Sequence, residues 1–158
     1  MRNLLLLVLP AALIACSDAA PEPSATVISA APDTLYLGDD TRNDLSIVIE
    51  YADGDGDLGR GVARVNDCRA TDVVTEIILP SIATDEAVEE GVAITGELEL
   101  RVNDVGAVTL AASAPTVCAD LGAPAPVAGE AVFCVVLVDT AGHEGPGDCT
   151  SALALSSL

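Results

Sequence analysis

The sequence predicts an all-β protein, a sandwich of seven to nine short antiparallel strands. Three observations lead there. Apolar residues alternate with polar ones over several short runs, the period-two pattern of a strand with one buried face. Gly, Pro, Asn and Asp gather between those runs, where a chain reverses. No stretch of ordinary helical length carries an apolar stripe at the 3.6-residue period.

The chain opens Met1-Arg2-Asn3 and then runs apolar from Leu4 to Ala15. One positive charge before a short apolar run is the layout of an export segment, too short for a bilayer core that takes roughly 20 apolar residues. Pro10 argues against a buried core helix. Residues 17–33, rich in Ala, Pro, Ser and acids, read as a tether. The expected organisation is therefore a signal segment over 1–15, Cys16 with the tether over 16–33, and one folded domain over 34–158.

Within the domain, Leu45, Ile47, Ile49 and Tyr51 alternate with Ser46, Val48, Glu50 and Ala52. Val92, Ile94, Leu98, Leu100 and Val102 alternate with Glu97, Glu99, Arg101 and Asn103, the cleanest half-buried strand. Val62–Asp67, Val73–Leu79, Val105–Ala112 and Ser151–Leu155 are further strands on weaker patterns. Val132–Val138 is apolar on both faces, as a central strand is. The acidic stretch 84–91 suits a short helical turn.

The formal charge is −19, and loss of Arg2 leaves the mature chain one unit more acidic, with arginine as its only strong base. Nucleic acid is excluded as a partner, because its phosphates need cations. Anionic headgroups are repelled and cations attracted. An apolar fraction of 51% excludes the disordered class despite the charge. With one Phe, two Tyr and no Trp, the core falls to Val, Leu, Ile and Ala.

Cys68, Cys118, Cys134 and Cys149 are an even set in an exported chain and read as two disulfides. Three connectivities exist. Cys118 and Cys134 bracket a Pro/Gly-rich loop, which favours that pair and leaves Cys68 with Cys149. A zinc site is disfavoured by wide spacings and a single histidine.

Asp53, Asp55 and Asp57 alternate with Gly54 and Gly56. Glycine lets the backbone wrap so that oxygens converge, and crowded carboxylates call for a counter-ion. Calcium, which takes 6–8 oxygens, fits better than magnesium, which keeps its waters. The loop is not an EF-hand: counted from Asp53, position 6 is Leu58 rather than Gly, and position 12 is Arg64 rather than Glu. A solvated acidic turn is the plainer reading. No catalytic residue is expected: His143, the lone histidine, lies in a Gly-rich loop and reads as surface decoration, and there is neither a Gly-x-Ser-x-Gly elbow nor a phosphate-binding glycine loop.

Leu13-Ile14-Ala15-Cys16 resembles the lipobox of bacterial lipoproteins. That resemblance implies cleavage before Cys16, acylation of Cys16 with palmitate-type chains, and anchoring in a membrane. Ser17 in the next position, rather than Asp, points by the same resemblance to the outer membrane.

Two further motifs, covering about a tenth of the chain, resemble bacterial lipoproteins with immunoglobulin-like domains. They are Tyr51-Ala52-Asp53-Gly54-Asp55-Gly56-Asp57-Leu58-Gly59 and Val138-Asp139-Thr140-Ala141-Gly142. His143 stands where the family has Asn, and the antibody-type Trp and strand Cys are missing. The resemblance implies an immunoglobulin-like sandwich in which 45–52 and 132–138 run to the same end. Asp139 would then stand beside the 53–59 turn and complete a calcium site, with Glu144 and Asp148 as further donors.

The expected function is a non-enzymatic cell-envelope lipoprotein that displays one immunoglobulin-like domain for binding or structure, with an envelope or extracellular protein as partner. The alternatives are a calcium-stabilised accessory module of a larger surface assembly, and a secreted hydrolase, which needs a polar cleft.

Overall fold

A computed structural model describes residues 22–38, 43–82 and 91–157. Its strands are β1 (Ser24–Ala31), β2 (Thr34–Leu37), β3 (Leu45–Asp53), β4 (Val62–Asp67), β5 (Val74–Ile78), β6 (Ile94–Val102), β7 (Glu130–Ala131), β8 (Phe133–Val138), β9 (Asp148–Cys149) and β10 (Leu153–Ser157), with one short helix, α1 (Thr116–Asp120). The export segment and Cys16 lie outside the described residues, as does the acidic stretch 84–91 except for Gly91. Among the described residues no helix is long and apolar enough to cross a membrane.

The alternation along β3 has its expected result. Leu45, Ile47, Ile49 and Tyr51 are buried, and the residues between them face the other way. β3 is flanked by β1 and β6, both antiparallel to it, which makes one layer. The second layer runs β5-β4-β8-β9. Only Val132 separates β7 from β8, and the run containing β9 and β10 pairs with both of them. β2 then adds in parallel beside β10. The core lies between the layers, where Ile47, Ile49 and Leu100 meet Val65, Val135 and Leu137, with Leu35 and Leu153 alongside. It is an all-β sandwich, as the period-two patterns predict. Phe133, the single Phe, is buried in it.

Three expectations are corrected. Residues 24–31, read as tether, are β1, which pairs with β3 from Ser24↔Ala52 to Ala31↔Ser46 through one bulge. Thr26, Val27 and Ile28 supply the β-branched residues that the surrounding Pro, Ala and Ser obscured. β1 also bonds to the opposite layer: Ala25 donates its N–H to Pro146 O at 3.1 Å, and Val27 donates to Asp148 Oδ2 at 2.9 Å. Second, Val105–Ala112 is not a strand. Its groups bond singly, Val105 N to Asn43 O and Ala111 N to Arg69 O, and Arg69 also reaches Gly106 O from its buried ion pair with Asp67.

Third, the disulfides are Cys68–Cys118 and Cys134–Cys149, not Cys118–Cys134 with Cys68–Cys149. Register decides this, because Cys134 on β8 lies directly opposite Cys149 on β9. Cys118, on α1, is left to meet Cys68 just beyond β4.

Candidate metal centre

β3 ends at Asp53 and the chain turns over residues 54–61 into β4. Gly56 makes the turn with φ at +78°, a left-handed conformation that a side chain resists. Leu58, fully buried, drops from the loop into the core. Its N–H donates to Asp53 Oδ2 at 2.8 Å, so the loop closes back on the end of its own strand. Gly61 passes so close to the end of β8 that a Cβ there would lie 2.2 Å from Val138 O. Thr140, just beyond β8, reaches across with its N–H and Oγ1 to Asp57 O, at 3.4 and 3.1 Å, and with Oγ1 to Asp57 Oδ2 at 3.3 Å.

The fold thereby brings together Asp53, Asp55 and Asp57, with one oxygen from each lying within 4.8 Å of the others. The Oδ1 atoms of all three are buried and have no hydrogen-bond partner. Asp53 is only 2% exposed. At an effective dielectric of about 20, two like charges at that separation repel by roughly 3 kcal/mol. A buried oxygen without a partner costs on the order of 1–3 kcal/mol more. The carboxyls respond in the expected direction. Asp57 is pushed up to about 6, first by burial and then by the charges of Asp139, Asp55 and Asp53. Asp53 is raised mainly by burial, and its bond from Leu58 N–H only partly offsets this. Inward-facing carboxylate oxygens that repel one another are satisfied by a cation. A hard, oxygen-preferring ion of flexible geometry suits three carboxylates on a Gly-rich turn, and that description is calcium's.

Asp139 stands next to the trio, near enough for its charge to raise Asp53 and Asp57, but it is not one of the converging three. Its oxygens are already engaged: His143 N–H donates to Oδ1 at 2.8 Å, and His143 Nδ1 lies 2.8 Å from Oδ2. That hydrogen bond, followed by the charge of Asp139, raises the His143 pKa. The further donors are also committed elsewhere. Glu144 pairs with Arg64. Asp148 accepts from Val27 N–H and, at 2.8 Å, from Cys149 N–H. Cys68, Cys118 and Cys134 form a second close group, but all three are in disulfides and offer no thiolate.

Sequence reading missed the two residues that shape the site, Leu58 and Thr140. The signal for Leu58 was present: an isolated apolar residue in an acidic turn has to go inward. Nothing local announced Thr140, whose role depends on the pairing of two distant strands. Comparison of the chain with family models, with curated proteins and with solved structures finds no match.

Proposed function

We propose that this chain is a non-enzymatic cell-envelope module, held to a membrane through lipid on Cys16, whose sandwich is clamped at one end by calcium. The carrying observation is that the carboxylates of Asp53, Asp55 and Asp57 converge, with one oxygen of each within 4.8 Å of the others, and that all three carry a buried Oδ1 without a partner. Because those oxygens face inward, the ion closes the loop between β3 and β4; it is not presented to a substrate. The anchor reading rests on Leu13-Ile14-Ala15-Cys16. A lipid anchor also accounts for a −19 chain staying at a membrane that its charge alone would avoid. The domain acts by binding or by its place in a larger surface assembly.

Calorimetry of the domain without its export segment tests the clamp. Calcium is expected to give a saturable heat, abolished in Asp53→Asn and Asp55→Ala. No heat at millimolar calcium, or heat unchanged by Asp55→Ala, would sink the reading.

A further inference from the structure

Because residues 24–31 form β1, the chain between Cys16 and the sandwich is short. β1 begins at Ser24, and Glu22 and Pro23 are already part of the described domain, Pro23 being fully buried. A Cβ on Gly145 would fall 1.7 Å from Pro23 O, so the chain is pressed against the loop before β9. Six residue steps therefore separate Cys16 from Glu22. Even fully extended they span only about 20 Å. The sandwich is longer than that, since the nine residues of β3 alone reach about 30 Å.

Glu22 also marks which end is tied down. It lines a groove of about 390 Å³ together with Ser24, Ala52, Asp53, Thr95 and Pro146. Ser24, Ala52 and Thr95 are consecutive partners across β1, β3 and β6, so the groove lies on the outer face of that layer. Asp53 places it beside the carboxylate trio. The groove surface is mostly apolar, and exposed Val92 lies just before β6 near the same end.

We propose that the calcium end of the sandwich is its membrane-facing surface, with this groove and the 53–59 loop lying against the lipid headgroup layer that holds the anchor. The proposal rests on the lipid-anchor reading of Cys16. The short chain between anchor and domain selects the occupant, because the surface at this end cannot move far from the bilayer. Charge then decides when contact is made. Three carboxylates are repelled by lipid phosphates, whereas the ion's two positive charges leave the loaded loop with one negative charge. Arg60, exposed in the same turn, supplies a cation for a phosphate. The opposite end, with α1 and the disulfides, points away from the membrane.

The chain has no Trp, so one introduced Trp reports on its own surroundings. The full chain, produced with its export segment and recovered from membranes, is reconstituted into phosphatidylcholine vesicles whose acyl chains are brominated near the glycerol. Thr95→Trp places the reporter on the exposed rim of the groove, and Val127→Trp places it at the other end, where Val127 is exposed. In millimolar calcium the Thr95→Trp emission is expected to fall roughly two-fold relative to unbrominated vesicles, with Val127→Trp unchanged, as shallow insertion at one end requires. Ala93→Trp repeats the test from a second exposed position of the groove. Chelation should relieve the quenching. Protein that floats with the vesicles but is quenched equally, or not at all, at the two ends overturns the membrane-facing assignment alone. Protein that fails to float overturns the anchor reading, and this proposal with it. Quenching that chelation leaves unchanged keeps the orientation and removes calcium from it.

Discussion

At one end of the sandwich, where β3 runs into β4, the loops are gathered around three carboxylates whose inward oxygens have no partner. At the other end, where β4 runs out and β8 begins, they are gathered by two disulfides, Cys68–Cys118 and Cys134–Cys149. In the first arrangement like charges repel one another, and the proposed ion would offset that repulsion. The second is held by covalent bonds that act whatever the ionic conditions, largely by restricting the unfolded chain. A small domain with few aromatics in its core thus has one end joined by covalent bonds and one end joined by hydrogen bonds around carboxylates that repel one another.

That contrast can be broken most strongly at the covalent end. Chain entropy assigns about 4 kcal/mol to a loop closed across the 50-residue separation of Cys68 and Cys118, and about 3 kcal/mol across the 15 residues between Cys134 and Cys149. Full reduction is expected to unfold the domain near room temperature with or without calcium, as followed by circular dichroism. Next in size is Leu58→Ala, which removes the buried side chain seating the acidic loop. It should cost about 2–5 kcal/mol and weaken calcium binding together with stability, read by denaturant titration in both conditions.

Calcium at a hundred times its dissociation constant should add about 2.7 kcal/mol. The accompanying rise in Tm should be reversed by chelator while the disulfides stay intact. The most discriminating test is a change of sign. Without calcium, Asp55→Asn relieves repulsion and should stabilise the domain by up to about 1 kcal/mol, whereas with calcium it should destabilise it. A solvated acidic turn with no ion gives the same sign in both scans.

The smallest effect is that of pH. Asp57, pushed up to about 6 in the ion-free protein, binds its proton more tightly folded than unfolded. Its contribution is complete below the unfolded value of 3.8 and is lost as pH rises through about 6. The raised His143 works in the same direction. Ion-free stability should therefore increase as pH falls from 7 to 5, while calcium affinity falls over the same range because the ion competes with the proton. Parallel melts and calorimetry over that range check both slopes.

The sandwich was legible because its central strands alternate in plain view: β3 and β6 announce their buried faces residue by residue. The trio of aspartates was legible for a similar local reason, since three carboxylates spaced by glycines on one turn lie close together. What failed was decided across the chain. β1 lay hidden among prolines and alanines because its strand character comes from β3 on one side and the Pro146–Asp148 segment on the other. The disulfide pairing followed cross-strand register, which spacing does not encode. The two loops do meet, which puts Asp139 beside the trio, but the sequence could not show that His143, four residues on, would bond to both of its oxygens.

β1 has a mechanical meaning as well. It is the first strand among the described residues, eight residues long, antiparallel to β3 and bonded to the opposite layer at Ala25 and Val27. A pull between residue 16 and the disulfide end is directed along this strand. The rungs from Ser24↔Ala52 to Ala31↔Ser46 then carry the load together in shear, instead of opening one after another like a zip. Single-molecule pulling from residue 16 against an attachment near Val127 should therefore require more force than pulling from residue 16 against Ala52, the partner of Ser24, which opens the same rungs one after another.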